Sequence, residues 1–267
     1  MQQPDQNQTA PVTFATGKQY GFYYNQARCN DCRACTIACK CYNGTSGPVK
    51  WLKMYEWEKG TFPTMRLHFL FAPCYHCENP VCVDAANGAM YKEPKYGVVL
   101  IDPDKATSMD LRAAQEACPY GAILFDGDGM NATASKCTMC IERLTQGLLP
   151  VCIDACHMRA LDFGPLEDLQ AKYGTLRQLE DMPDPSTTNP SVVFQPHDTK
   201  KQLIPYDVNR ALTLLATRYA VTPSLSPFYN APSDATDIPP GLVARTTLNM
   251  KPKDVAEQVQ LTQHDDA

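Results

Sequence analysis

The sequence predicts an α+β fold in which a short unit, a cysteine-containing loop followed by a helix and a strand, is repeated along the chain. Three observations predict it. The cysteines fall into short groups of regular spacing. Strand-like segments rich in aromatic residues, at 19–25 and 66–71, lead into the first two groups. Helix signals follow the last group, where residues 165–172 begin at a proline and stop before Gly174.

The first cysteine group has the spacing C-x2-C-x2-C-x3-C, formed by Cys29, Cys32, Cys35 and Cys39. In bacterial iron-sulfur proteins the first three thiolates of this pattern bind one [4Fe-4S] cubane and the fourth binds another. One such group is therefore half of a pair. A later stretch must supply the missing ligands.

Composition limits the classes of protein that this chain can represent. Thirteen cysteines in 267 residues exceed what ordinary packing uses, and their C-x2-C pairs are a ligand spacing rather than a disulfide spacing. The net charge of -5 gives no support for nucleic-acid binding. No apolar run approaches the ~20 residues of a membrane span. Residues 1–16 lack the features of a signal peptide, so we expect a cytoplasmic protein, or one exported only with a twin-arginine partner.

Three more groups follow, and two of them are incomplete. The second has Cys74, Cys77 and Cys82, with Ala86 where a fourth cysteine belongs. The third keeps only Cys118. Counting back from it at the same spacing gives the replaced positions: Ser108, Leu111 and Ala114. The fourth group is complete: Cys137, Cys140, Cys152 and Cys156.

If the groups exchange their last ligand, the thiolates divide into three complete sets. Cluster 1 takes Cys29, Cys32, Cys35 and Cys156; cluster 2 takes Cys39, Cys137, Cys140 and Cys152; cluster 3 takes Cys74, Cys77, Cys82 and Cys118. The losses remove one whole set, because none of the four residues left for a fourth cubane is a thiolate. We therefore predict three [4Fe-4S] clusters and no catalytic residue, since cubanes held only by thiolates have no open coordination position. Cys41 remains, as a buried free thiol.

A rival interpretation is a zinc site. The cysteines of the fourth group resemble a zinc ribbon, but zinc leaves the run that begins at Cys29 unexplained. His76 and His157 lie beside ligand positions, and we interpret them as neighbours rather than ligands. Cations near the clusters would raise reduction potentials; the candidates are Lys40, Lys136 and Arg143.

The groups also divide the chain. The predicted segments are an arm (1–17), an outer module with two clusters (18–65 and 129–174), an inner module with one cluster (66–128) and an extension that wraps a partner (175–267). Further strands are predicted at 97–101 and 122–125, and further helices at 141–146 and 207–219.

The four-group layout, the KCTMC segment at 136–140 and the segment FGPLEDLQAKYG at 163–174 resemble the beta subunits of the dimethyl sulfoxide reductase family of molybdenum and tungsten enzymes. The resemblance implies a double bacterial-ferredoxin-like fold, with the inner module inserted in the outer one. It implies electron transfer to or from a large catalytic subunit that carries molybdopterin with Mo or W. A membrane anchor or another electron donor is a further partner that it suggests.

Within this family, the segment 77–91 and the CPYGA segment at 118–122 are similar to the small subunit of pyrogallol-phloroglucinol transhydroxylase and its relatives, resorcinol hydroxylase and the catechol dehydroxylases. That resemblance implies hydroxylated aromatic substrates. One alternative is the relay subunit of a respiratory S-oxide, thiosulfate or oxyanion reductase. Another, from a different class, is a stand-alone polyferredoxin.

Overall fold

The computed structural model describes residues 13–45, 47–60, 66–197, 213 and 247–260. The chain divides into two compact units, one made of Met1–His197 and Arg245–Ala267 and the other of Asp198–Ala244. The helices and strands given below lie in the first unit. The helix predicted over 207–219 lies outside the described residues and stays a prediction.

Helices and short strands alternate along the described chain, as predicted. The strands are β1 (Tyr20–Asn25), β2 (Lys53–Lys59), β3 (Arg66–Ala72), β4 (Met90–Glu93), β5 (Val98–Ile101), β6 (Leu124–Phe125), β7 (Ala134–Ser135), β8 (Leu161–Pro165) and β9 (Val192–Gln195). The helices are α1 (Ala34–Asn43), α2 (Val81–Ala85), α3 (Asp110–Ala117), α4 (Ile141–Thr145), α5 (Val151–Asp154), α6 (Leu166–Tyr173) and α7 (Val255–Gln260), with a 3-10 turn at Pro103–Lys105.

The central sheet has the order β8-β1-β9, with β8 antiparallel and β9 parallel to β1. β1 is buried except at its end, so it forms the middle of the core. A Cβ on Gly21 would lie 2.4 Å from the Ser191 carbonyl oxygen. Glycine is therefore what allows β9 to approach this closely.

Aromatic side chains join this sheet to the antiparallel hairpin of β2 and β3. Tyr20 stacks on Phe163 with 5.5 Å between ring centroids, and Phe22 meets Phe71 edge-on at 5.6 Å. Such pairs favour one packing arrangement over others, because ring edges and faces carry opposite partial charge. The described end of the predicted arm joins the same cluster, since Phe14 packs edge-on against Tyr20.

Several predicted elements are confirmed, with small shifts at their ends. The strands predicted at 19–25, 66–71 and 97–101 correspond to β1, β3 and β5, and the helices at 141–146 and 165–172 to α4 and α6. The strand predicted at 122–125 is reduced to β6. Pro165 and Gly174 flank α6 as N-cap and C-cap.

Parts of the predicted extension belong to the first unit. β9 lies within 175–267 and pairs with β1, with Val192, Val193 and Phe194 buried. Residues 247–260 also pack on this unit: the Lys251 Nζ donates to the Glu116 carbonyl oxygen at 2.6 Å, and the Gln258 side chain donates to the Pro48 carbonyl oxygen at 2.9 Å. The extension therefore contributes to the core, which its low apolar density did not predict.

Candidate iron-sulfur centres

All thirteen cysteines are free thiols. The loop that carries Cys29 and Cys32 bends sharply, with positive φ at Asp31 (51°) and Arg33 (58°) before α1 begins at Ala34 and brings in Cys35. A backbone in this region turns back on itself within a few residues, so several side chains of one loop can face the same point. The geometry suits a group that collects several thiolates from one short segment.

The four cysteines assigned to cluster 1 line one cavity. Cys29 and Cys32 come from the first loop, Cys35 from the first turn of α1, and Cys156 from the residues just after α5. Tyr24, Phe71 and Leu161 form apolar walls. His157 lies beside this cavity, with its Nδ1 3.8 Å from the Cys32 Sγ, so it is a neighbour of a ligand position.

The four cysteines assigned to cluster 2 line a second cavity: Cys39, Cys137, Cys140 and Cys152. Positive φ at Met139 (57°) and Cys140 (49°) makes the same kind of turn as in the first loop. The Met139 N–H donates to the Cys137 Sγ at 3.3 Å, and the Asn43 side chain donates to the Cys39 Sγ at 3.5 Å. Donors of this kind stabilise negative charge on sulfur.

The cysteines assigned to cluster 3 lie close enough to interact electrostatically. Burial raises the pKa of Cys77, and the neighbouring sulfurs of Cys74, Cys118 and Cys82 raise it further. Burial likewise raises the pKa of Cys82 to about 12, while the charge of Lys136 opposes that rise. The four residues therefore form one group, contributed by the loop before α2, by α2 and by the end of α3.

Burial raises the pKa of thiols in all three groups, reaching about 12 for Cys35 and Cys39. Thiolates gathered in such a site need a compensating positive charge, and bound metal deprotonates a thiol outright. His76 adds a second observation. Its Nδ1 accepts from the Val99 N–H at 3.0 Å, which leaves a proton on Nε2, and that buried nitrogen has no hydrogen-bond partner. Three cubanes fit this arrangement, because they supply both positive iron and acceptor sulfur.

The zinc interpretation does not fit the geometry. Its four cysteines do not share a cavity: Cys156 lines the first cavity, whereas Cys137, Cys140 and Cys152 line the second together with Cys39. Within the described part of the chain, no three Cys, His or carboxylate groups converge on a point that could hold one metal ion.

The position of the missing fourth set is filled by apolar packing. Ala86, Leu111 and Ala114 are fully buried in a cluster with Ile123 and Phe125. In the remaining position, the Ser108 hydroxyl accepts from the Asp110 N–H at 3.2 Å, just before the first turn of α3. This corner of the molecule is held together by side chains.

The predicted neighbours of the clusters differ in what they contact. Lys40 donates to the carbonyl oxygens of Gly47 and Val49, and Arg143 pairs with Asp154 at 2.6 Å. Lys136 lies 3.6 Å from the Cys74 Sγ. The expectation that Cys41 is buried is wrong: it is exposed, because residues two apart on α1 point to different faces.

The sequence reasoning missed two lysines near cluster 3. Lys53 is buried and its Nζ donates to the Gly121 carbonyl oxygen at 2.5 Å. Lys92 donates to the carbonyl oxygens of Cys77 and Glu78, at 3.0 and 2.9 Å. Neither is next to a cysteine in the sequence. Lys53, Met54 and Tyr55 are buried in succession at the start of β2, so no alternation in the sequence indicates that Lys53 faces inward.

Comparison with known proteins defines the class first. The family described as "4Fe-4S dicluster domain" matches residues 65–166, which span the second, third and fourth cysteine groups. The chain is 34% identical over 188 residues to the B subunit of anaerobic dimethyl sulfoxide reductase from Escherichia coli K12, covering 67% of this chain and 89% of the relative. The B subunit of the same reductase from Haemophilus influenzae is 33% identical over 190 residues, covering 67% and 90%. Protein NrfC of E. coli K12 is 32% identical over 163 residues, covering 60% and 71%.

The chain thus belongs to the iron-sulfur subunits of the dimethyl sulfoxide reductase family. It is an electron-transfer subunit of an oxidoreductase complex. Among the described helices, none has both the length and the apolar character to cross a bilayer.

Proposed function

We propose that this chain carries electrons, one at a time, through three [4Fe-4S] clusters to or from a molybdopterin subunit. The observation that carries the proposal is the grouping of twelve cysteines into three sets of four while apolar side chains fill the fourth position. Each cubane, once bound, supplies a centre that gains and loses one electron. The protein supplies ligands, spacing and electrostatics.

The contacts between sets support an order for the relay. Helix α1 carries Cys35 of the first set and Cys39 of the second. Lys136, which precedes Cys137 of the second set, has its Nζ 3.6 Å from the Cys74 Sγ of the third. The second set is the middle one by this criterion. Its four cysteines are also buried, whereas Cys32 of the first set is exposed. Electrons would enter and leave through the outer two positions.

We also propose the nested double-ferredoxin arrangement, with residues 18–65 and 129–174 as the outer module and 66–128 as the inner one. The exchange of Cys39 and Cys156 between two distant groups supports the outer module. Partner wrapping remains a proposal for residues 198–244 of the predicted extension. The large catalytic subunit would hold molybdopterin with Mo or W.

Two substrate classes remain for the complex. The filled fourth position supports hydroxylated aromatics, because the family members that this segment resembles act on them. The relatives named as dimethyl sulfoxide reductase subunits support an S-oxide instead. Assays of the purified complex on both classes, with the same electron donor or acceptor dye, separate the two. Turnover of S-oxide alone would exclude the aromatic proposal.

Iron content tests the relay itself. The complex should hold about twelve iron atoms for each copy of this chain, beyond any in its partner. Cys39→Ser should reduce the occupancy of the second cluster or alter its electronic structure. We expect a changed EPR signal and a loss of up to about four iron atoms per chain. Cys41→Ser is the matched control, because this thiol is exposed on the same helix.

Three results would contradict the relay proposal. They are about sixteen iron atoms per chain, stoichiometric zinc, or an EPR spectrum that Cys39→Ser leaves unchanged. A stand-alone polyferredoxin would instead purify as a monodisperse, fully loaded chain without a catalytic partner.

A further inference from the structure

The part of the chain that the structure describes contains two buried lysines, Lys53 and Lys136, with 2% and 3% of their surface exposed. Burying an ammonium group is costly unless a negative charge lies close to it. Each lysine therefore needs a counter-charge. Where that charge lies indicates what the lysine does.

Lys136 lies between the second and third cysteine sets. It precedes Cys137 of the second set, yet its Nζ is 3.6 Å from the Cys74 Sγ of the third. The same Nζ donates to the Cys137 carbonyl oxygen at 3.0 Å and to the Val99 carbonyl oxygen. An ammonium has three donors, so one thiolate and two backbone carbonyls account for all of them.

Lys53 precedes the third set in the sequence, whereas Lys136 follows it. The Lys53 Nζ donates to the Gly121 carbonyl oxygen, three residues after Cys118 of the third set. The Tyr55 ring lies 5.6 Å from the same nitrogen. A loop and a strand that are far apart in the sequence thus bring a second buried cation to this one set.

Neither lysine has a carboxylate of the described chain within ion-pairing distance. Two cations beside the other sets form ion pairs: Arg33, in the first loop, pairs with Asp31 at 3.0 Å, and Arg143, after Cys140, pairs with Asp154 at 2.6 Å. Lys40, next to Cys39, donates to the carbonyl oxygens of Gly47 and Val49. The negative groups that face the buried lysines are the sulfurs of the third set.

We propose that Lys53 and Lys136 give the third cubane the highest reduction potential of the three. The inference rests on the proposed relay function and concerns where its electron resides. A nearby cation stabilises the additional negative charge of the reduced centre. In electron transfer between the second and third clusters, the cluster held by the Cys137 set would lose one electron and be oxidised. The cluster held by the Cys74 set would gain that electron and be reduced. No bond forms or breaks, and no proton moves.

The orphaned donor of His76 strengthens the assignment. The residue lies between Cys74 and Cys77, and its buried Nε2–H has no acceptor among the residues that the structure describes. An N–H donated to cluster sulfur would raise the reduction potential in the same direction as the lysines. Three positively polarised groups are therefore concentrated at one set of cysteines.

An EPR-monitored redox titration of the intact complex tests the proposal. Lys136→Met and Lys53→Met should each lower the midpoint of the same single cluster. We expect at least a tenfold decrease in its equilibrium constant for reduction, which is about 59 mV for a one-electron couple. Cys77→Ser, which changes a ligand of the third set, identifies the signal that belongs to this cluster. In the wild type that signal should be the first of the three to appear on reduction.

Lys136→Arg keeps the charge and should keep the midpoint within a threefold change in the equilibrium constant. Lys105→Met is the matched control, because Lys105 is an exposed lysine of the same region that bonds to the Gly88 carbonyl oxygen. If Lys136→Met loses iron, Lys53→Met and Lys136→Gln decide the question.

Unchanged midpoints in iron-replete variants, or a shift confined to the cluster of Cys137, would overturn the proposal. Neither result would contradict the three-cluster relay, because that function is tested by the iron content of the wild-type complex. A wild type with fewer clusters would instead overturn the relay itself.

Discussion

Leu111 occupies a position where the spacing of the third group would place a cluster ligand. Its side chain is fully buried, in contact with a cluster that includes Ala86 and Ala114. A buried leucine makes many weak attractive contacts and removes apolar surface from water, so it stabilises the folded state by burial rather than by metal binding. The residues that replace the ligands therefore form a small core of their own.

Leu111→Ala should destabilise the chain by about 2–5 kcal/mol, because the substitution leaves a cavity that neighbouring side chains fill only in part. The measurement is the urea midpoint of the purified protein, followed by circular dichroism. Met130→Ala is the control, since Met130 is 77% exposed, and it should change stability by less than about 0.5 kcal/mol. A loss of iron from Leu111→Ala at an unchanged midpoint would contradict this packing role.

At the scale of residues, cysteine spacing predicts three ligand sets, and the structure places the cysteines of each of the first two sets in one cavity. Such spacing reflects local loop geometry, which a sequence records directly. The position of Lys53 could not be predicted in this way, because its contact with Gly121 joins residues 68 positions apart. For Cys41 the spacing did contain the answer, since a residue two positions after a buried helical residue lies on another face.

At the scale of elements, residues 247–260 depend on one close backbone approach. Gly121 has a φ of +56°, and a Cβ added to it would lie 1.8 Å from the Met250 carbonyl oxygen. The Tyr55 hydroxyl bonds to the same oxygen at 3.5 Å. Glycine at this position thus lets the segment before α7 lie directly against the loop after Cys118.

Gly121→Ala should release this segment, because the new methyl group and the Met250 carbonyl cannot occupy the same space. Hydrogen exchange of residues 247–260 should become faster, and limited proteolysis there should increase. Gly44→Ala is a close control: Gly44 has a φ of +57°, but its added Cβ would meet nothing within 4 Å. Gly44→Ala therefore has the conformational cost of a positive φ without a steric clash. Equal exchange in the two variants would exclude the clash as the cause.

Two strands that the sequence did not predict, β2 and β9, have weak local signals. β2 mixes charged and aromatic residues, and both kinds of side chain are buried in part, so no simple alternation appears. β9 is four residues long and follows a proline-rich stretch, so its local signal is weak. Its place in the core comes from pairing with β1, which local sequence does not specify.

At the scale of the whole molecule, exposure differs between the three sets. The second set has four buried cysteines. The first includes the exposed Cys32, and the third includes the half-buried Cys77 and Cys82. Solvent and small oxidants therefore reach the outer sets more easily than the middle one.

Graded oxidation of the chain released from its complex should remove the clusters in a fixed order. The first cluster should be lost earliest, because Cys32 is open to solvent, and the second should be lost last. EPR signals recorded against time after addition of ferricyanide measure the order, with total iron as a check. In the intact complex a partner that covers Cys32 would slow the first loss. Earliest loss of the cluster held by Cys137 would contradict the burial argument.

The apolar corner around Leu111 also bears on how the protein matures. Ferredoxin-like loops ordinarily owe much of their order to the metal they enclose. Here α2 and α3 are joined by hydrocarbon contacts, so we expect this corner of the molecule to form before any iron is delivered. Cys82 and Cys118, at the edges of the two helices, would then be held in position before the adjacent cubane binds. A newly synthesised chain would then depend on iron to order fewer of its segments during assembly.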